Sequence, residues 1–156
     1  MATASTAHAG GTVLGRYTTA IAVGIVGGLV GGVAFGVLMQ SIGMIPMVAQ
    51  LVGSHATGVG WLVHLLISAF IGATFGVLFA RIATGPVRST LLGLGYGLVW
   101  WVLGGLVIMP AKLGMTGMIF HIAKTQWQSL AGHLIYGLLL GVIFGLVYPR
   151  LAHRGR

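Results

Sequence analysis

The chain has 156 residues, of which 57% are hydrophobic and only 5% are charged, and it contains no Asp, Glu or Cys. A soluble domain normally has about 25% charged residues, so the composition indicates a polytopic membrane protein. Without carboxylates and thiols, the chain alone cannot build a carboxylate-pair hydrolase, an Asp-oriented Ser–His triad, a carboxylate-bound Mg²⁺ or Ca²⁺ site, or an iron–sulfur cluster. We therefore expect no self-contained enzyme. The net charge of +8 is better explained by membrane topology and anionic lipid than by a nucleic-acid partner.

Residues 1–16 are mostly small and polar, and we predict that they form a mobile N-terminal tail. The first membrane span is predicted at about Tyr17–Gln40. Its glycines recur at four-residue steps, which in lipid allow another helix backbone to approach closely. These glycines are Gly24, Gly28, Gly32 and Gly36. The next stretch, residues 41–60, is apolar but contains Pro46, and it is predicted to form a short helix and a turn at the membrane surface.

The second span is predicted at about Val59–Ala83 and the third at about Val87–Met109. Between them, Thr84-Gly85-Pro86 is typical of a tight turn, because Gly tolerates a positive φ and Pro is favoured at the start of a helix. The third span is predicted to stop at Pro110.

A second apolar connection then leads to the fourth span, predicted at about Ser129–Tyr148. This span is expected to end before Pro149, which cannot donate a helical hydrogen bond. Residues 151–156 are predicted to be a basic C-terminal tail.

Two segments of the chain resemble each other. Trp61–Arg81 (WLVHLLISAFIGATFGVLFAR) returns as His133–Arg150 (HLIYGLLLGVIFGLVYPR), and a gap-free alignment pairs both the histidines His64 and His133 and the two arginines. The interval from His to Arg is 17 residues in each segment, which fits one membrane crossing at about 1.5 Å per residue. We therefore predict an all-α fold of four transmembrane helices, arranged as two parallel pseudosymmetric helical hairpins at residues 17–83 and 87–150.

Basic residues are distributed unevenly around these spans. Only Lys112 and Lys124 lie on one side, and six arginines lie on the other. The arginines are Arg16, Arg81, Arg88, Arg150, Arg154 and Arg156. By the positive-inside rule, both termini are predicted to be cytoplasmic in a bacterial inner membrane, and the last five arginines are predicted to anchor the chain to anionic lipid.

His64 and His133 are the main candidates for chemistry. Each begins a row of small residues at four-residue steps, so each is predicted to face a partner helix. These rows include the packing glycines Gly72 and Gly76 in one helix, and Gly137, Gly141 and Gly145 in the other. The pair could ligate a haem b or a chlorophyll-type pigment near the outer face, between the second and fourth spans. Two alternatives stay open: hydrogen bonds to neighbouring groups that link the hairpins, and a quinone or proton role.

A second candidate site contains Met115, Met118 and His121 in the outer connection. Their three-residue spacing is helical, and thioether and imidazole ligands suit monovalent copper. The alternative is that these methionines are adaptable apolar residues of an interfacial helix.

Four features of the sequence resemble those of a known family of membrane proteins. They are an MP pair at the end of the third span, a Gly/Met-rich connection, GHLIYG opening the fourth span, and a terminal Tyr-Pro-Arg. This pattern resembles uncharacterised bacterial four-helix inner-membrane proteins of the YagU-like kind, over most of residues 20–150. The resemblance implies a small inner-membrane protein and supplies no reaction.

The functional expectation is a structural or accessory subunit, assembled with other membrane subunits or with copies of itself. The glycine rows offer more close-packing surface than a minimal four-helix bundle needs. A small channel or transporter is the competing class, although the spans contain no carboxylate or ladder of cations to select a solute. An outward-facing copper-handling protein is a third alternative.

Overall fold

Helices account for all the regular structure in the part of the chain that the computed structural model describes, which is residues 3–154 with the side chains of residues 14–152. Four segments are long and apolar enough to cross a membrane. They are Leu14–Ser41, Thr57–Phe79, Pro86–Lys112 and Lys124–Ala152. The protein is therefore an all-α, multi-pass membrane protein, and the prediction of four transmembrane helices in a bundle is confirmed.

The helices follow one another with short connections. In chain order they are α1 (Thr3–Ser41), α2 (Ile45–Gln50), α3 (Thr57–Phe79), α4 (Pro86–Trp100), a π-helical segment (Trp101–Ile108), α5 (Met109–Lys112), a 3₁₀ turn (Thr116–Met118) and α6 (Lys124–Arg154). The third span consists of α4, the π-helical segment and α5, which run on without a break.

Four helix ends differ from the sequence prediction. Helix α1 begins at Thr3, so the helix of the first span starts before the predicted Tyr17 and includes most of the residues predicted as an N-terminal tail. Helix α3 ends at Phe79, before the predicted Ala83. The third span runs past Pro110, and α6 runs past Pro149. A proline removes only one helical donor, and a helix continues where the freed carbonyl finds another partner.

Pro110 shows how this happens. Because Pro110 has no N–H, the carbonyl of Leu106 loses its helical donor. The N–H of Phe120 takes that place at 3.3 Å, while Met109 donates to Gly104, five residues earlier, as in a π-helix. Phe120 has a φ of 57°, which is uncommon for a residue with a Cβ. The connection after α5 therefore folds back onto the end of the third span.

The two predicted turns are present. Gly85 has a φ of 82° and Pro86 begins α4, so the chain reverses tightly between α3 and α4. In the first long connection, α2 packs against α3 and buries Ile45 and Ala49 completely. This is the short helix and turn expected for residues 41–60.

Helix α1 packs closely against both α3 and α6, and α4 packs closely against α6. Helices α3 and α4 meet mainly through side chains. The rings of Phe75 and Tyr96 lie 5.4 Å apart, and the hydroxyls of Tyr96 and Thr74 lie 2.7 Å apart. The two hairpins, α1/α3 and α4/α6, are thus joined closely along α1 and α6 and more loosely along α3 and α4.

Glycines allow the close approaches. A Cβ on Gly24 would overlap the carbonyl of Gly72 on α3, and a Cβ on Gly93 would overlap the carbonyl of Gly137 on α6. The other glycines predicted for packing also lie against a neighbouring helix: Gly28, Gly32, Gly36 and Gly76 between α1 and α3, and Gly141 and Gly145 between α6 and α4. Gly27 and Gly31 bring α1 against α6.

Large side chains fill the centre of the bundle. Phe75 of α3 and Phe144 of α6 are fully buried, and their rings meet edge to face at 5.3 Å. Leu140 is also fully buried, one turn from Phe144. We call the end of the bundle that holds Arg16, Arg81, Arg88 and Arg150 the arginine end, and the opposite end, with residues 42–56 and 113–123, the loop end.

Candidate functional site

His64 and His133 lie at a similar depth in the half of the bundle nearer the loop end. His64 Nε2 is 2.9 Å from the carbonyl oxygen of Gly32 on α1. The ring of Phe35, less than one turn further along α1, contacts both imidazoles, at 5.4 Å from His64 and 4.7 Å from His133 between ring centroids. The structure therefore brings the two predicted residues together around one side chain of α1.

Each imidazole has one nitrogen bonded to a backbone carbonyl. His64 bonds Gly32 across the helix pair, whereas His133 Nδ1 lies 2.8 Å from the carbonyl of Ser129 in its own helix. A carbonyl oxygen only accepts, so in the neutral imidazoles these nitrogens carry the hydrogen. The lone pairs are then on Nδ1 of His64 and Nε2 of His133.

A buried serine lies one turn from each histidine, on opposite sides. Ser68 follows His64 and donates to its carbonyl at 2.8 Å. Ser129 precedes His133, with its hydroxyl 3.4 Å from Nδ1 of that ring. The two histidines therefore have similar neighbours but different hydrogen bonds.

The difference follows from the register of the hairpins. Gly28 of α1 faces the carbonyl of Ser68, and Gly97 of α4 faces the carbonyl of His133. The two glycines are 69 positions apart, the same offset that relates the histidines, but Ser68 and His133 are 65 positions apart. The 69-residue offset would place Gly97 opposite position 137, so α4 lies about one turn nearer the start of α6 than this offset predicts. The α4 carbonyl that would match the partner of His64 is one turn away from His133.

The π-helical segment forms another wall beside His133. A Cβ on Gly105 would lie 3.6 Å from Cε1 of His133 and 3.4 Å from the hydroxyl of Ser129. At the start of this segment, Trp101 donates its indole N–H to the carbonyl of Gln126 at 3.0 Å. Single π-helical turns are frequent at functional sites, and here the π-helical segment places Gly105 beside the imidazole of His133, where an added Cβ would make ordinary van der Waals contact.

This arrangement does not fit bis-imidazole ligation of one haem. Iron–nitrogen bonds of about 2 Å place the two ligating nitrogens about 4 Å apart. His64 uses Nε2, the nitrogen that reaches furthest from the backbone, for its bond to Gly32, and Phe35 packs against both rings. If that bond is kept, only Nδ1 of His64 is left to ligate iron, and a macrocycle between the two rings would have to displace Phe35. The geometry favours the alternative in which the histidines bond to neighbouring backbone.

The structure places Met115, Met118 and His121 in the connection after α5. The N–H of Met118 donates to Met115, and the N–H of His121 donates to Met118, so the three residues are linked by two successive turns. Met115 and His121 are exposed and Met118 is half-buried. Within the described residues, no group of three or more His, Cys, Asp or Glu side chains could hold a metal ion. A copper site here would depend on the two thioethers.

Two residues of this region escaped the sequence analysis, Phe35 and Tyr136. Tyr136 of α6 donates its hydroxyl to the carbonyl of Ser68 on α3 at 2.7 Å, next to Gly28 of α1. The available signal was an aromatic residue set among helix-packing glycines. Such a residue fills the space that the glycines leave on a neighbouring helix.

At the arginine end, Arg81, Arg88 and Arg150 are exposed, as a lipid anchor requires. The predicted anchors Arg154 and Arg156 lie outside the residues whose side chains are described. The guanidinium of Arg81 lies over the ring of Tyr17, 5.8 Å from its centroid, which is within the range of a cation–π contact.

Comparison of the chain with protein-family models, with curated proteins and with solved structures gave no match. Fold and site therefore define a class: a small, lipid-embedded, multi-pass helical protein with two histidines near the loop end, each hydrogen-bonded to a backbone carbonyl.

Proposed function

We propose that the protein is a structural or accessory subunit of a larger membrane complex, without self-contained catalysis. The observation that carries the proposal is the filled centre of the bundle. Phe75, Leu140 and Phe144 have no exposed surface, so the place where a four-helix protein would hold a substrate or cofactor is occupied by its own side chains. The protein must then act mainly through its surface.

Three polar side chains of the interior support the same proposal. His64 bonds Gly32, Tyr136 bonds Ser68, and the hydroxyl of Tyr96 lies within hydrogen-bond distance of Thr74 and of the carbonyl of Ile71. In a membrane core, a polar group without a partner is costly, and a satisfied one links helices. These side chains hold the four helices together and need no further ligand.

The side of the bundle formed by α3 and α4 is the best candidate for a partner surface. The glycine rows of α1 are used within the chain, against α3 and α6, so the partner surface must lie elsewhere. Helices α3 and α4 are joined loosely and carry exposed apolar side chains, including Phe70 (62% exposed) and Leu91 (65% exposed). A helix of another subunit, or of a second copy, could pack along this side.

The proposed setting is a bacterial inner membrane with both termini in the cytoplasm. The arginine end contains the start of the first span and the end of the last, and positive-inside bias assigns it to the cytoplasm. Membership of the YagU-like proteins, proposed from the sequence resemblance, agrees with this setting.

Site-specific photocrosslinking in membranes tests the subunit proposal. A photoreactive residue would replace Phe70 or Leu91, and the fully buried Leu140 serves as the control position. We expect crosslinks from an exposed position to one partner of defined mass, a second copy or another membrane protein, and co-purification of that assembly in mild detergent. A stable monomer with its own turnover, or crosslinks to lipid alone, would contradict the proposal.

A haem or pigment site is the second candidate, and one specific observation favours it. Both histidines donate one ring N–H to a carbonyl, as metal-bound imidazoles usually do, and keep a lone pair on the other nitrogen. The contact of Phe35 with both rings makes this the weaker proposal. An absorption spectrum of the purified protein separates the two.

A further inference from the structure

A cavity of about 270 Å³ opens at the arginine end of the bundle. Its lining consists of Arg16, Tyr17, Ala80, Arg81 and Tyr148. These residues come from the start of the first span, the end of the second and the end of the fourth, so the cavity forms only when three helices are assembled. An adjoining cavity of about 240 Å³ shares four of them and extends towards the turn before α4.

The floor of the cavity is built from small and buried side chains. Ala80 is 7% exposed and Ala83, in the adjoining cavity, is 2% exposed. Tyr148 is 5% exposed and borders both cavities. The small side chains of Ala80 and Ala83 keep the space open. The hydroxyl of a tyrosine can donate and accept hydrogen bonds with a polar ligand.

Two guanidinium groups give the cavity its charge. Arg16 and Arg81 are both exposed and both line it, and the Tyr17 ring under Arg81 restricts where that guanidinium lies. The sequence has no Asp or Glu, so no side-chain carboxylate of this chain can neutralise them. The ligand that matches this cavity is therefore an anion from outside the chain.

We propose that this cavity binds a phosphate group through Arg16 and Arg81, and that its nearest source is the headgroup of an anionic phospholipid. Arginine presents a planar fork of donors that suits phosphate oxygens. The cavity lies where the helices leave the membrane, and basic pockets between transmembrane helices at such a level bind lipid headgroups. Its volume is below the usual range of about 300 to 1,000 Å³ for small-molecule sites, which suits a headgroup better than a larger ligand.

Phosphate binding at this cavity is independent of whether the chain assembles with other proteins. It also differs from general anchoring by surface arginines, because it requires two particular guanidinium groups. Arg88 and Arg150 provide the comparison: both are exposed at the same end and neither lines the described cavities.

The test is native mass spectrometry of the full-length protein with phosphatidylglycerol or phosphatidylcholine. One double variant changes the cavity, Arg16→Gln with Arg81→Gln, and the other changes the control pair, Arg88→Gln with Arg150→Gln. Both lose the same charge. We expect the cavity variant to bind phosphatidylglycerol about tenfold more weakly or worse, because two charge-assisted bonds are lost. We expect the control variant to retain binding and phosphatidylcholine to bind poorly.

The source of the phosphate is decided by adding inorganic phosphate to each sample. If phosphatidylglycerol stays bound in its presence, the site is a lipid site. If inorganic phosphate displaces the lipid and its binding depends on the same two arginines, the site takes free phosphate. Equal loss of lipid in both double variants would show diffuse electrostatic attraction and overturn the proposal, as would no anion binding by the unaltered chain. Should the cavity variant fail to fold, Arg81→Lys decides: it keeps the charge but loses the fork, and undiminished binding would count against the site.

Discussion

The hydroxyl of Tyr136 on α6 donates a 2.7 Å hydrogen bond to the carbonyl of Ser68 on α3. It reaches that carbonyl beside Gly28 of α1, where a Cβ would lie 2.9 Å from the hydroxyl oxygen. Three of the four spans therefore meet at one point near the middle of the bundle. A glycine at position 28 leaves the space in which the other two residues touch.

Gly28→Ala should destabilise the protein by about 1–3 kcal/mol, the usual cost of forcing extra volume into a packed core. The added methyl would collide with the backbone of α3 as well as with the Tyr136 hydroxyl. Gly95→Ala is the matched control, because Gly95 lies in α4 with nothing within 4 Å of an added Cβ. Unfolding in detergent should show a loss for the first variant and no loss for the second. Equal stability of the two variants would refute this account of the meeting point.

Tyr136→Phe removes only the hydroxyl and keeps the ring. The expected loss is about 0.6 kcal/mol, the average for hydrogen bonds between membrane helices. In the Gly28→Ala background the bond is already disturbed, so Tyr136→Phe should cost less there than in the unaltered chain. A double-mutant cycle in the same unfolding assay measures this difference. Strict additivity would mean that position 28 does not control the bond.

Local sequence patterns were enough to predict the four spans and the residues that face other helices. Span length and hydropathy are properties of short segments, and glycines at four-residue steps mark one face of a helix wherever that helix is placed. For this reason Gly24 and Gly72 could be assigned to packing before their contact was known. The positions of the two histidines beside α1 follow from the same pattern.

The register between helices could not be predicted from these patterns. A row of glycines at four-residue steps allows two helices to pack in several registers, one turn apart. In the structure, the register of α4 against α6 places Gly97 opposite the carbonyl of His133. The prediction that helices end at prolines was wrong for a related reason. The bond from Phe120 to the carbonyl of Leu106 joins residues that are far apart in the local pattern, so a rule that stops helices at proline cannot anticipate it.

The proposed topology predicts labelling from outside the cell at the loop end. The chain has no Cys, so single replacements at His55 and Thr116, both exposed in the connections at the loop end, give unique sites. An impermeant thiol reagent should label both in intact cells. Thr84→Cys, exposed in the turn at the arginine end, should be labelled only after the membrane is permeabilised. The reverse pattern would place the termini outside.

The two histidines should differ in what they contribute to stability. His64 links α3 to α1 through Gly32, whereas the polar bond of His133 stays within α6. His64→Ala should therefore cost about 1 kcal/mol or more in a detergent unfolding assay, and His133→Ala should cost less. His64→Gln should recover part of the loss, since its amide can donate to the same carbonyl. His55→Ala, at an exposed loop position, controls for the loss of a histidine as such.

The same variants decide between a hydrogen-bonded pair and a cofactor pair. If the histidines act only through backbone bonds, the purified protein has no Soret band, and the order of stability is unaltered chain, then His133→Ala, then His64→Ala. If they ligate one haem, a Soret band is present and is lost in both alanine variants to the same extent, because one missing axial ligand is enough to disturb a bis-imidazole site. The unequal hydrogen bonds of the two rings favour the first outcome. A Soret band abolished by either substitution, with the helical fold retained, would show that the histidines ligate a haem and that Phe35 moves to make room for it.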